Sequence, residues 1–215
     1  MKAAIVKGNS KIEIEDFDIS DLKPNELLIK MQSCGICGSD VEKVFGKYGQ
    51  PSMRLGHEPA GEVIKIGSNI SDFKIGDRVF THHHVACYSK DCHECSHGNE
   101  TMCKKYYESN LNPCGLADNY VVPEWNVIHG GVLKLPEHVS YEEAALIEPF
   151  ACCVRAWSKF KYQKAGVMLS QLVNNSKSVD LLERPQFNIQ SDLLSSFMQD
   201  NKKDQSIIFF NSVSL

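Results

Sequence analysis

Glycine is absent from the chain after Gly166, since all 14 glycines of its 215 residues lie between positions 8 and 166. Glycine-rich turns bind nucleotide phosphates because a residue without a Cβ lets the backbone approach the ligand closely. The absence of glycine therefore excludes a phosphate-binding turn of the GxGxxG type from residues 167–215.

Long apolar runs and an excess of positive charge are also missing. No stretch of about 18 apolar residues is present, and residues 1–19 alternate apolar with charged side chains. We therefore predict neither a membrane span nor a secretory signal, and we expect a cytoplasmic protein. The net charge of −4, with a pI of about 6.1, gives no general attraction for nucleic acid or anionic lipid, so neither is an expected partner.

Short extended segments dominate the chain from its start to about position 135. Apolar and polar side chains alternate within them, and Gly, Pro, Asn and Asp separate them, as is typical of strands joined by turns. This pattern predicts a mostly β fold with a partly closed barrel or sandwich. The predicted strands are AAIV, KIEIEDFDI, ELLIKM, GEVIKIG, DRVF and LADNYVVP.

A helical pattern begins at Ser140. Its hydroxyl and the carboxylate of Glu143 have the spacing of a capping box, which predicts a helix start. Pro149 cannot continue that helix but suits the first turn of a second one that reaches about Lys159. Glu148 is therefore expected at a junction between two helices.

Four cysteines lie close together in the segment CYSKDCHECSHGNETMC, with gaps of four, two and seven residues. A reducing compartment disfavours disulfides, and nine cysteines cannot all pair, so metal ligation is the better interpretation. Four thiolates without room for water form a structural zinc site. We predict that its ligands are Cys87, Cys92, Cys95 and Cys103.

Four other interpretations of the cysteine loop are less favoured. Unrelated buried thiols are disfavoured by the density of cysteines in a polar loop, and the gaps match neither common ferredoxin pattern. A neighbouring histidine could replace one sulfur, but we favour the four cysteines. A zinc ribbon that binds nucleic acid would need basic residues around the loop, which carries acids and histidines instead.

A second set of ligands is suggested by SCGICGSD and GHEPAGEV. A thiolate at Cys37, an imidazole at His57 and a carboxylate at Glu58 or Glu148 would supply three protein ligands. Three ligands leave a fourth position for water or substrate, as in catalytic zinc sites. Each motif alone is weak, but their order ahead of the cysteine loop makes the combination specific.

Together these motifs resemble the zinc-dependent medium-chain alcohol dehydrogenases, with the closest likeness to the polyol and threonine dehydrogenase branch. The resemblance covers residues 1 to about 165. It implies a GroES-like β-rich catalytic domain and a zinc ion on Cys37 and His57. The segments that carry it are GICGSD, GHEPAGEV, GDRV, the cysteine loop, GLADNYVVP and EEAALIEPFACCVRA.

The resemblance also implies a reaction, hydride transfer between a secondary alcohol or polyol and NAD or NADP. Zinc would stabilise the alkoxide, and the third ligand would be Glu58 or Glu148, directly or through water. Ser39 occupies the position of a hydroxyl that relays the departing proton, although it could equally cap a turn. Glu42 stands where many relatives carry a histidine in that relay, and Ser89 stands where they carry a cysteine, so Cys87 must reach the structural zinc through a longer loop.

The remaining cysteines match no ligand position of the family. We interpret them as small buried side chains, which is the common state of a free cysteine. They are Cys34, Cys114, Cys152 and Cys153.

The cofactor domain of the family would begin near Gly166, but the remaining residues are too few for a doubly wound sheet and lack the glycines. We therefore expect a catalytic domain over 1–165, followed at 166–215 by an atypical tail that replaces the Rossmann domain, from a frameshift, a premature end or a gene-model error. No oligomeric state is carried over, because relatives assemble mainly through the cofactor domain. The alternative is a non-catalytic zinc-binding module with a structural or interaction role.

Overall fold

A computed structural model describes residues 1–7, 10–19, 21–46 and 53–159 of the chain. Two compact units divide the chain between Pro149 and Phe150, and residues 1–149 form the first of them over its described length. The predicted boundary at 165 and the prediction of an atypical tail at 166–215 lie outside the described residues. They stay predictions.

Strands outnumber α-helices in the described residues, so the predicted β-rich class is confirmed. The strands are β1 (Lys2–Val6), β2 (Ile12–Asp16), β3 (Leu27–Gly35), β4 (Glu58–Ile66), β5 (Arg78–Thr81), β6 (Asn119–Val122) and β7 (Val132–Lys134). The α-helices are α1 (Gly38–Val44), α2 (His93–Ser96), α3 (Glu124–Ile128), α4 (Tyr141–Ala144) and α5 (Ile147–Lys159). All six predicted strands are present; β7 and the first three helices were not predicted.

The strands form two antiparallel sheets. β1 and β2 form a hairpin, and the other five strands form an open sheet in the order β6-β3-β4-β5-β7. The long central strands β3 and β4 pair with each other over their whole length, from Leu27 opposite Ile66 to Gly35 opposite Glu58. This pairing places the end of β3 beside the start of β4.

The main core is built on the five-stranded sheet. Tyr120 is fully buried there, and its hydroxyl group is 2.9 Å from the Thr81 hydroxyl, so the phenol has a partner inside the core. Burial raises the pKa of Tyr120 far above its usual range. The core residues are Leu27, Ile29, Val63, Val79, Leu111, Tyr120, Val122 and Val132.

The predicted helix boundaries near Ser140 are observed. The Ser140 hydroxyl accepts a hydrogen bond from the Glu143 amide at 3.1 Å, and the Glu143 carboxylate accepts one from the Ser140 amide at 2.8 Å. The helix α5 begins at Ile147, and Pro149 occupies its first turn, where no intrahelical N–H is needed. Glu148 therefore lies at the junction between α4 and α5, as the sequence predicts.

Candidate metal centres

The four cysteines of the loop converge on one point. Their ligand atoms all lie within 4.8 Å of one another, and three Sγ–Sγ distances are 3.6 Å, 3.7 Å and 3.9 Å. A disulfide needs about 2.05 Å, whereas a tetrahedron with Zn–S bonds of about 2.3 Å has edges of about 3.8 Å. The spacing of Cys87, Cys92, Cys95 and Cys103 therefore fits a closed zinc site.

Local backbone geometry brings these cysteines together. Tyr88 adopts a left-handed conformation with φ of 47°, which turns the chain directly after Cys87. The Ser89 hydroxyl accepts from the Asp91 amide at 3.2 Å, and α2 then begins after Cys92. The two extra residues of the first gap are thus taken up in a turn, and the longer loop reaches the cluster.

The thiols of the cluster have unequal proton affinities. Burial raises the pKa of Cys95 to about 12, and the neighbouring thiols contribute in the same direction. At Cys103, burial is outweighed by the backbone amides of Cys87 and Lys105, which lower the pKa to about 7. Four thiolates at this separation repel one another, so full ionisation of the cluster needs a cation at its centre.

A second cluster joins Cys37, His57 and Glu58, whose ligand atoms also lie within 4.8 Å of one another. The pairing of β3 with β4 explains how residues so far apart in sequence come together. Gly35 lies opposite Glu58, so Cys37, just past the end of β3, meets the residues at the start of β4. The cluster is therefore built on the two central strands of the sheet.

Asp40 supports this second cluster and was missed by the sequence analysis. The residue is 2% exposed, and Asp40 Oδ2 lies 3.4 Å from His57 Nδ1. Its carboxylate also accepts hydrogen bonds from the backbone amides of Cys37 and Gly56, both at 3.2 Å. Nε2 of His57 is left to face the cluster, 3.8 Å from Glu58 Oε1. A carboxylate behind a metal-binding histidine fixes its tautomer and orientation.

Charges within the second cluster are strongly coupled. Burial opposes protonation of His57, but hydrogen bonds with Asp40 and Cys37 outweigh it and raise the histidine pKa to about 10. Burial raises the pKa of Glu58 to about 7; His57 opposes this shift, and the charges of Cys37 and Glu148 add to it. A bound metal ion must displace the proton on His57.

The two candidate carboxylates occupy different positions. Glu58 belongs to the cluster of three, with a side chain only 1% exposed. Glu148, in the first turn of α5, is half-buried and raises the pKa of Glu58 electrostatically, but it lies outside that cluster. The structure therefore brings Glu58 together with Cys37 and His57, and places Glu148 nearby.

Ser39 and Glu42 both lie on α1. Cys37 is the N-cap of this helix, and the capping carboxylate comes from Asp40. Ser39 is thus not the N-cap of α1. It follows the N-cap by two residues and is half-buried, as is Glu42.

The cysteines outside the clusters divide into two pairs. Cys34 and Cys114 are 3% and 1% exposed, which confirms their interpretation as small buried side chains. The same interpretation is wrong for Cys152 and Cys153, which are exposed on α5. Burial is the common state of a free cysteine, but α5 leaves these two positions open to solvent.

The second cluster fits a zinc site in two respects: the chemical types of its side chains, and a buried oxygen atom that has no hydrogen-bond partner. Its thiol, imidazole and carboxylate are typical zinc ligands, and three of them leave a further position. Glu58 Oε2 is buried without a hydrogen-bond partner, a costly state that a cation would relieve. Gly35 provides the space, because a Cβ there would lie 1.8 Å from this oxygen. The residues present therefore fit the metal that the resemblance implies.

Residues 23–137, over half of the chain and including both clusters, match the family model of the alcohol dehydrogenase GroES-like domain. The chain belongs to this family. The GroES-like domain predicted from the sequence motifs is confirmed by this match.

Relatives of the GroES-like domain support the predicted branch. Sorbitol dehydrogenase of Bacillus subtilis is 36% identical over 173 residues, which cover 78% of this chain and 48% of the relative. L-threonine 3-dehydrogenase of Escherichia coli K12 is 32% identical over 171 residues, covering 77% of this chain and 48% of the relative. This chain thus spans about half the length of the curated relatives it matches.

A solved structure from Sinorhizobium meliloti 1021, assigned as a zinc-binding dehydrogenase and bound to NADP, has the same fold. Its TM-score is 0.59 at 26% identity, over 71% of this chain and 43% of that one.

Over the described residues of the present chain, no helix has both the length and the apolar character to cross a membrane.

Asp40→Asn is expected to weaken metal binding at the second cluster. Loss of the carboxylate charge should lower the pKa of His57 below about 10 in the metal-free chain. Supporting carboxylates contribute about 10–100-fold to metal affinity, and weaker proton competition offsets part of this, so we expect a fall of about tenfold. NMR titration of His57 and competitive zinc titration at pH 8 measure both effects.

Asp77→Asn is the matched control for this substitution. Like Asp40, Asp77 accepts a hydrogen bond from the backbone amide three positions earlier in the chain, that of Lys74, and forms an ion pair with a lysine, Lys134. Unlike Asp40, it lies away from both metal clusters. The Asp77→Asn substitution should leave the pKa of His57 and the zinc affinity of the second cluster unchanged. Equal zinc affinities for the two variants would contradict a supporting role for Asp40.

Proposed function

We propose that this domain is the catalytic part of a zinc-dependent dehydrogenase that transfers hydride between a secondary alcohol or polyol and NAD(P). The observation that carries the proposal is a three-residue mixed cluster together with a separate cluster of four cysteines. A four-sulfur shell has no position for substrate, whereas three protein ligands leave one open. Two zinc ions per chain are therefore proposed, one structural and one catalytic.

Glu58 is the proposed third ligand of the catalytic zinc. Its buried oxygens lie with Cys37 and His57, and one of them lacks a hydrogen-bond partner. Glu148 instead contributes negative charge from α5, and its effect on Glu58 favours the protonated carboxyl group. This division of roles explains why the chain carries two acids near one site.

The residues around the site would position an alcohol and hold protons. Zinc bound there would supply Lewis-acid polarisation of the alcohol oxygen. In the metal-free chain burial raises the pKa of Glu58 to about 7, so zinc binding near neutral pH would release a proton from this carboxyl group as well as from His57. Ser39, on α1 directly after the Cys37 turn, is the proposed relay for the departing proton: its hydroxyl would take up the alcohol proton and pass its own proton on towards solvent. Asp40 holds the imidazole of His57 so that Nε2 faces the ligand cluster.

NAD(P) is proposed as the hydride acceptor because the Sinorhizobium meliloti relative carries NADP. Its binding site would lie outside residues 23–137, which match the GroES-like model. All nine cysteines are free thiols, which suits a reducing compartment such as the cytoplasm.

Cobalt substitution tests the proposal without a need for turnover. With Co²⁺ in both sites, a secondary alcohol should change the absorption bands of the mixed site and leave those of the four-sulfur site unchanged. Cys37→Ser should remove the alcohol-sensitive bands, whereas Cys103→Ser should remove the insensitive ones. If neither set responds to alcohol while both ions are bound, the alternative of a non-catalytic zinc-binding module is correct.

A further inference from the structure

A pair of histidines on α2 has no role in the proposed function. His93 is the first residue of this helix and His97 directly follows its last residue, so the two are about one helical turn apart. Both side chains are exposed, and their rings stack with centroids 4.5 Å apart and planes at 28°. Two histidines at this spacing on one helical face can bind the same zinc ion. The pair is therefore a candidate metal site outside the two clusters described above.

Hydrogen bonds fix the protonation pattern of both rings. Nδ1 of His97 lies 2.7 Å from the His93 carbonyl oxygen, which can only accept, so this nitrogen carries the proton in the neutral ring. Nδ1 of His93 lies 3.4 Å from Glu94 Oε1, an acceptor when ionised. In each neutral ring the lone pair then belongs to Nε2, which has no partner among the described residues. Metal-binding histidines show this arrangement, with the other ring nitrogen held by a carbonyl or carboxylate oxygen.

The separation of the two rings suits a single ion. A zinc ion with Zn–N bonds of about 2.1 Å needs its two nitrogens about 3.4 Å apart. Rings with centroids 4.5 Å apart can reach this by rotation of His93, whose side chain is 79% exposed. Over the described residues, the groups of three or more candidate ligands are the two clusters already described, so water would complete the shell.

The segment HECSH also has the HExxH pattern of zinc proteases. The catalytic zinc of such proteases has a third protein ligand. Among the described residues no third ligand joins the pair, and Cys95, in the middle of the segment, belongs to the four-cysteine cluster. A plain binding site is therefore the better interpretation of the pattern.

The four-cysteine cluster would organise the backbone that carries the pair. Cys92 is the N-cap of α2 and Cys95 lies within it, so two proposed ligands of the structural zinc belong to the same turn as the histidines. The Ser96 amide donates to the Cys92 carbonyl at 2.9 Å, and the Ser96 hydroxyl donates to the His93 carbonyl at 3.0 Å. An ion held by the cysteines would fix this turn and with it the separation of the two rings.

We propose that His93 and His97 form a third metal site, an exposed two-histidine site for a divalent transition-metal ion such as Zn²⁺. Imidazole nitrogens suit zinc, copper and nickel ions. The inference rests on the structural zinc of the proposed function and adds a separate ion. With only two protein ligands, the site binds zinc more weakly than either cluster and fills at excess metal. Because an ion bound there favours the folded loop, it adds to the stability that the structural zinc provides.

Zinc titration of the full chain tests this inference, in a sample loaded with zinc, freed of excess metal and without a histidine tag. With ¹⁵N-labelled histidine, added Zn²⁺ should shift the Nε2 resonances of His93 and His97 first, and calorimetry should show one further ion per chain. His93→Asn and His97→Asn should each weaken this binding about tenfold or more, since even residues that only support a ligand contribute about 10–100-fold. Asparagine keeps an N–H group near the position of Nδ1 and lacks Nε2.

His138→Asn is the matched control, since His138 is exposed and lies outside α2. Its zinc titration should equal that of the original chain. The cobalt bands of the four-sulfur site should be the same in all three variants, which shows that the loop is intact. If a variant loses those bands, the resonances of the original chain decide alone.

Equal zinc binding by His93→Asn with an intact loop would overturn the inference, and so would resonance shifts spread evenly over the exposed histidines. If the original chain shows the four-sulfur bands and binds no further ion, the inference fails and the proposed structural zinc stands. If the original chain shows no four-sulfur bands, the proposed structural zinc fails, and the inference that rests on it fails too.

Discussion

Cys103→Ser is expected to remove one zinc ion per chain and to unfold the loop from Cys87 to Cys103. Cys103 is 3% exposed, and its sulfur contacts those of Cys87 and Cys92 at 3.6 Å and 3.9 Å. Structural zinc contributes about 10–16 kcal/mol of apparent binding free energy, which in such loops is folding free energy. A hydroxyl is a poor zinc ligand, so we expect a loss of about 4 kcal/mol or more in the free energy of unfolding.

Zinc content by mass spectrometry and thermal unfolding measure these two effects. Cys114→Ser is the matched control, because Cys114 is also a buried free cysteine but lies in the core near the β1–β2 hairpin. Its thiol already contacts the carbonyl oxygens of Ala4 and Leu116, which a serine hydroxyl can use. The control should keep both zinc ions. Retention of both zinc ions by Cys103→Ser would refute the closed four-cysteine site.

Gly35→Ala should empty the mixed cluster while the fold persists. The added Cβ would lie 1.8 Å from Glu58 Oε2, the end of a flexible side chain, and 3.1 Å from Glu58 Cβ. The carboxylate must therefore swing away, and it cannot then ligate a metal beside Cys37 and His57. We expect zinc affinity at this cluster to fall by about 100-fold or more, at the upper end of the range for supporting residues, because a ligand itself is displaced.

Gly61→Ala provides a comparison, because its added Cβ would clash with backbone rather than with a proposed metal ligand. A Cβ at Gly61 would lie 2.2 Å from the carbonyl oxygen of Lys30 on the paired strand β3. The two central strands would have to separate, at a cost of about 3 kcal/mol as in severe overpacking. Urea unfolding should thus show the larger loss for Gly61→Ala, and zinc titration the larger loss for Gly35→Ala. Wild-type zinc affinity in Gly35→Ala would contradict the placement of Glu58.

The strands were predictable from sequence because their signal is local. Alternation of apolar and polar residues marks β2, and Gly, Asn, Asp and Pro mark the turns around the other strands. The capping box at Ser140 was equally local, because its two partners are near neighbours in sequence. The helices α1, α2 and α3 were missed because each is only one or two turns long, too short for helical periodicity to develop.

Asp40 was missed for a different reason. In sequence it is one acid in a short polar stretch, and a cap for α1 would have been its simplest interpretation. Its contact with His57 Nδ1 at 3.4 Å joins two separate segments, and no pattern in either segment encodes that contact. The signal that could have found it is its position three places after Cys37, which puts a carboxylate at the N-terminus of any helix that begins there.

The sequence by itself identified the four cysteines that converge, because residues so close in the chain can meet through turns of their own loop. It also narrowed the mixed site to Cys37, His57 and one of two glutamates. Only the tertiary structure shows which of those glutamates lies with Cys37 and His57, because Glu58 comes to the cluster through the antiparallel register that places it opposite Gly35. That register depends on the packing of the whole sheet, and so does the position of Asp40 behind His57.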